Sequence, residues 1–199
     1  MTRIPLLCIE EEARAVIYRV LDAVRPEQPP RVGVLSYIQS RGPLGKDAGE
    51  NTKVPHNQSV DSEFIGATEQ ECRQWFIDHY FEYPMLSATL LAIADARTAR
   101  DGTIYLQYYC WEDSQFDFPP FGLLPQKPST WYNYRIDVKG TDEVYTKLLF
   151  VELDVSFPTY FGRKEELTNA QGIFDTVKAD RIICKDEPKA YLASAQDKA

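Results

Sequence analysis

The sequence predicts an α/β fold, with α+β as the alternative, in which a mixed β-sheet carries two main helices on one face. Three observations predict it. Apolar runs of strand length flank an amphipathic helical stretch near the N-terminus, a second helix is marked by its own capping residues, and residues 87–138 return three times as strand-like segments. Helical and strand periods alternating along one chain are the pattern of a layered α/β domain.

The first apolar run, Ile4 to Ile9, is a short strand by its composition. In the stretch that follows, Ala13, Val16, Ile17, Val20, Leu21 and Val24 fall at i, i+3, i+4, i+7, i+8 and i+11, one face of a helix over 10–25. Glu10, Glu11 and Glu12 stand in its first turn, where negative charge is favoured by the helix dipole, and Pro26 follows its end. Arg31 to Ile38 is rich in β-formers and reads as the second strand of a βαβ unit. Residues 39–61 are polar and rich in Gly, Asn and Pro, which predicts a long loop.

Thr68-Glu-Gln-Glu71 is a capping box, and the helix it starts should run to about Tyr80 or Phe81. Cys72, Trp75, Phe76, His79 and Tyr80 form its apolar stripe, and Pro84 ends it. The run 87–95 is the next strand, turning through Ala96 to Gly102. In the strand from Thr103, Ile104, Leu106, Tyr108 and Cys110 point one way while Tyr105, Gln107, Tyr109 and Trp111 point the other. The run 131–138 divides likewise, with Tyr132, Tyr134, Ile136 and Val138 opposite Trp131, Asn133, Arg135 and Asp137. One face of the sheet is then apolar and covered by the helices; the other is aromatic and polar.

Between these strands lies 112–130, a proline-rich loop carrying Phe116, Phe118, Phe121, Leu123 and Leu124. These are poor surface residues, so the segment either folds back onto the domain, covers a cavity as a lid, or meets a second copy in a homodimer. Val144 to Val155 reads as a buried strand, with a helical start over 143–149 as the alternative. Ser156 and Pro158 suit the start of a short helix holding Tyr160 and Phe161, and 172–175 and 181–184 read as last short strands. The organisation expected is a single domain over 1–185 and a polar C-terminal tail over 186–199.

A chain of 199 residues is most simply one domain with one core. Its 44% hydrophobic and 26% charged residues are ordinary, whereas 13% aromatic content is high, enough to fill a large core or line a cavity. The net charge of -8 argues against nucleic acid, whose phosphates are bound by clustered Lys and Arg. No basic amphipathic helix, no long apolar run and no signal peptide are legible, so a cytoplasmic protein without a membrane partner is expected. Cys8, Cys72, Cys110 and Cys184 lack the close pairing of zinc sites and read as buried thiols, with no metal.

The series Leu90-Leu-Ala-Ile-Ala-Asp-Ala-Arg-Thr98, a strand beginning near Thr103, then Leu148 to Phe157 with Tyr160, Phe161 and 172–174, resembles an uncharacterised family of small α/β domains typical of bacterial proteins. The resemblance covers about half the chain. It implies one α/β domain and supplies no catalytic residues.

Known chemical motifs are missing. Residues 42–47 fail as a phosphate loop, since Ser40 stands where a glycine is needed and Asp47 where a hydroxyl is needed. No Gly-x-Ser-x-Gly elbow and no Gly-x-Gly-x-x-Gly turn occur, so no cofactor is expected. Two functions fit what remains. The first is a binding module that takes a small apolar molecule or a protein partner on the aromatic face. The second is a cofactor-independent isomerase or cyclase acting on a small carbonyl substrate. There Tyr105, Tyr109, Trp111 and Trp131 would shape a cavity, and Gln107, Asn133 and Arg135 would orient the carbonyl. Asp95 or His79 would move the proton. Asp95 earns its place by ending an apolar strand, and its structural role would be to cap the turn and pair with Arg97 or Arg100.

Overall fold

Five β-strands in the order β2-β1-β3-β4-β7 form the main sheet: β1 is Ile4–Cys8, β2 Leu35–Tyr37, β3 Leu90–Ala94, β4 Thr103–Cys110 and β7 Thr130–Asp137. The computed structural model describes residues 2–24, 33–42, 60–111, 115–127 and 129–184. β1 is parallel to both β2 and β3, with Ile4 opposite Leu35 and Leu6 opposite Ala92. β3 is antiparallel to β4, Leu90 facing Tyr108. The sheet is therefore mixed and the class α/β, as the sequence predicts. β1 and β3 are buried along their whole length, which is why they read as unbroken apolar runs and not as alternating ones.

The chain divides into two compact units, Met1–Tyr108 with Asn133–Asp142 and Tyr109–Tyr132 with Glu143–Ala199. In the first unit, the expected helix 10–25 is two helices, α1 (Glu11–Arg14) and α2 (Ile17–Ala23). A tight turn separates them, with the Val16 amide donating to the Ala13 carbonyl at 3.0 Å. All six residues of the predicted stripe are nevertheless buried. Helix α3 (Glu69–His79) begins at the predicted capping box: the Thr68 hydroxyl accepts from the Glu71 amide at 3.2 Å, and the Glu71 carboxylate accepts from the Thr68 amide at 2.7 Å. A 3-10 turn, Tyr80–Glu82, follows it.

Arg73 on α3 reaches down to Gln107 of β4 and Asn133 of β7, so α3 covers the polar face of the sheet. The expectation that both helices pack on the apolar side gives way here. Sequence periodicity shows which stripe of a helix is buried and not which sheet face it meets.

The stretch 96–102 is more than a turn. Asp95 caps a short helix, α4 (Ala96–Asp101), accepting from the amides of Arg97 and Thr98, and Gly102 closes it in the left-handed region at φ 71°. The strand parities hold: Ile104, Leu106, Tyr108 and Cys110 are buried on β4, as are Tyr134 and Ile136 on β7 and Val138 just beyond its end. A 3-10 turn, Val138–Gly140, leads on from β7.

In the second unit, residues 116–124 form a hairpin of β5 (Phe116–Phe118) and β6 (Gly122–Leu124). It folds back on the unit. Phe118 lies edge-on to Phe157 with centroids 6.0 Å apart, and Leu124 is buried. Gly162 is required opposite it, since a β-carbon there would stand 2.8 Å from the Phe121 ring.

The strand expected over 144–155 is instead helical, in α5 (Thr141–Phe150), which agrees with the alternative of a helical start over 143–149, and in α6 (Leu153–Phe157). Val144, Tyr145 and Leu148 fall at i, i+1 and i+4 and are buried, so the helical period prevails over β-propensity. A π-helical turn, Pro158–Gly162, continues α6 and buries Tyr160 and Phe161. The expected strand 172–175 amounts to one bridge between Thr168 and Phe174, and the expected strand 181–184 is the end of helix α7 (Thr176–Cys184). The tail 186–199, most of the 39–61 loop with its 43–47 segment, and His56 lie outside the described residues.

Candidate functional site

Two arrangements in the first unit have the makings of a site, and they differ in kind. The first joins Asp95, Tyr105, Gln107, Asn133 and Arg135, all singled out by the sequence. The end of β3 places Asp95, and β4 and β7 bring up the others by parity. The Arg135 guanidinium meets the Asp95 carboxylate fork to fork, Nη1 donating to Oδ1 at 2.9 Å and Nη2 donating to Oδ2. The same guanidinium lies over the Tyr105 ring, 4.9 Å from its centroid. Of the two side chains expected to pair with Asp95, Arg97 pairs instead with Asp101 at 2.8 Å and Arg100 pairs with no carboxylate among the described residues, so the Arg135 fork takes the place of both.

Burial alone would raise the Asp95 pKa. The hydrogen bonds and charge of Arg135, with the Thr98 amide and hydroxyl, outweigh burial and hold the carboxyl below its ordinary range. Asp95 is thus a held carboxylate, already accepting from three residues.

Arg73 continues the network. Its Nε donates to the Gln107 Oε1 at 2.9 Å, one Nη donates to the Asn133 Oδ1 at 2.8 Å, and the same nitrogen pairs with Glu69. Sequence reasoning missed Arg73, which falls between the apolar positions of α3. Gln107 is fully buried, and its Nε2 has no hydrogen-bond partner among the described residues. Burial, then the Glu69 charge, raises the Tyr105 pKa against the opposing pull of Arg73, Arg135 and Asn133, so its phenol stays protonated at neutral pH.

The remaining sequence-selected residues sit elsewhere. His79 Nδ1 lies 2.8 Å from the Trp75 carbonyl one turn back on α3, and its ring stacks on the Trp75 indole at 5.1 Å. Tyr109, Trp111 and Trp131 belong to the second unit, where Tyr109 contacts both indoles with centroids 4.5 and 5.1 Å apart. Cys8 and Cys72 are buried and their thiols are pushed up to about 12 by that burial; Cys110 is also buried, while Cys184 is exposed.

The second arrangement is a cleft of about 310 Å³. Val16, Val20 and Ala23 from the α2 segment and Val138 after β7 give it apolar walls, and the Thr98-to-Gly102 part of α4 closes another side. The Val138 amide donates to the Gly102 carbonyl at 3.2 Å, tying two of those walls together. Three cations also line it: Arg19, Arg100 and Lys139, all exposed. Arg19 rests over the Tyr18 ring at 5.9 Å. Among the described residues, no carboxylate pairs with any of the three.

One acid, Asp137, lines the same cleft, and its carboxylate accepts from the Lys139 amide at 2.9 Å. These cations come from three separate segments and share no local pattern. Sequence reasoning takes 96–102 as a plain turn and singles out none of them as a site residue.

The chain matches no family model, no curated protein and no solved structure in comparisons of sequence and fold.

Proposed function

We propose that this protein is a binding module whose first unit takes a small molecule with an apolar body into the cleft between α2, α4 and the segment after β7. The observation that carries this reading is the cleft itself. Its volume falls at the lower end of the range for small-molecule sites, and it combines apolar walls with a few polar groups at its edge. The Asp95, Tyr105, Gln107, Asn133 and Arg135 cluster supports the same reading from the other side. Its charged groups are already engaged with one another, which suits a scaffold that holds β3, β4, β7 and α4 in place.

The fluorescent probe 8-anilinonaphthalene-1-sulfonate, an aromatic body with one anionic group, tests the cleft. Its emission should rise with the folded protein and fall back in Ala23→Trp and in Ala99→Trp, which fill the cleft from two walls. The melting temperature of each variant checks that the fold persists. Equal probe binding by both folded variants and the parent chain would remove the reading.

A further inference from the structure

We infer that the ligand of this cleft is an anion, a carboxylate or phosphate carried on a short apolar body, and that Arg19, Arg100 and Lys139 are the residues that select it. The inference rests on the small-molecule reading above and adds the chemical class. Its first support is a local reversal of charge. The chain carries a net charge of -8, yet this cleft is lined by three cations and one acid. Elsewhere on the surface Arg14, Arg97 and Lys178 each pair with a carboxylate. The three around the cleft have none among the described residues.

The single acid forms no ion pair with any of them among the described residues. The Asp137 carboxylate caps the 3-10 turn instead, accepting from the Lys139 amide at 2.9 Å. Arg100 stands in the last turn of α4, ahead of Gly102, whose left-handed conformation ends the helix at the cleft wall. Arg19 stands on α2 next to Val20 and about one turn after Val16, the two valines that line the apolar wall.

Guanidinium groups offer forked donors that match the paired oxygens of carboxylate or phosphate, and a lysine adds a point charge. The apolar residues between them face the part of a ligand that carries no charge. A neutral apolar molecule would leave the cations solvated and gain nothing from them. A cationic one would be repelled.

Calorimetric titration of the full chain with four probes of equal chain length tests this: octanoate, octyl phosphate, 1-octanol and octylamine. Octanoate or octyl phosphate should bind, with affinity falling as ionic strength rises, and 1-octanol and octylamine should bind at least about tenfold more weakly, the difference expected for one charged hydrogen bond. The stronger of the two anions identifies the headgroup. Arg19→Gln, Arg100→Gln and Lys139→Gln should each weaken that anion roughly three- to tenfold while leaving 1-octanol unchanged. If 1-octanol or octylamine binds as tightly as the anions, the anion inference fails and the cleft reading stands. If no probe binds, both fail. If the anions bind and the three Gln variants bind them equally well, the assignment of these cations is overturned.

Discussion

The Asp95–Arg135 cluster and the Arg19–Arg100–Lys139 cleft belong to one compact unit and use the same kinds of side chain, yet their charges stand in opposite conditions. In the cluster, each cation faces an acid: Arg135 meets Asp95, and Arg73 meets Glu69. In the cleft, the cations are exposed and unmatched among the described residues. A guanidinium that has its carboxylate within the fold contributes to holding the fold, and has little left to offer a ligand. One that lacks it remains available.

The largest expected effect comes from breaking the matched pair. Arg135→Ala strips Asp95 of its fork and uncovers Tyr105, and should cost roughly 2–3 kcal/mol in denaturant unfolding. If the comparison is right, octanoate or octyl phosphate affinity stays unchanged in this variant as long as it folds. A loss of affinity without loss of stability would transfer the site to the cluster.

Acid provides a second, smaller break. The folded-state pKa of Asp95 lies below its unfolded value, so its contribution to stability is present at neutral pH, above the unfolded pKa. That contribution is lost as the pH falls through the unfolded value near ~4 and on through the folded one. The unfolding midpoint should therefore drop on acidification below about pH 4, and the gap between the parent chain and Asp95→Asn should narrow over the same window. A gap that stays constant would mean that the pair contributes nothing of this kind.

The smallest effect on stability belongs to the cleft. Arg100→Gln removes an exposed charge with no partner in the described fold and should stay within about 0.5 kcal/mol of the parent chain. That contrast with Arg135→Ala separates a structural arginine from a recognition arginine by stability alone.

These differences also explain what was legible in the sequence. Strand parity on β4 and β7 gathered Tyr105, Gln107, Asn133 and Arg135 correctly onto one face, because a period of two is a property of the backbone. The Thr68–Glu71 box marked the start of α3 because its signal is local. Which face α3 covers was not legible, since Arg73 announces itself only through Gln107 and Asn133, far away in the chain. The helix over 141–150 was legible only as an alternative over 143–149, because the Val and Phe content of the stretch favours a strand while the spacing of Val144 and Leu148 carries the helical period. The cleft was least legible of all. Arg19 sits on the polar side of α2, Arg100 at a helix end and Lys139 after a strand, and each alone looks like an ordinary solvated cation. Only folding places them around one space.

Amide chemical-shift mapping during titration with octyl phosphate tests the central claim most directly. The account predicts that the perturbed amides cluster at residues 16–23, 98–102 and 137–139, the segments that line the cleft. Perturbations centred on Arg73, Tyr105, Gln107 and Arg135 instead, or none at saturating probe, would contradict it.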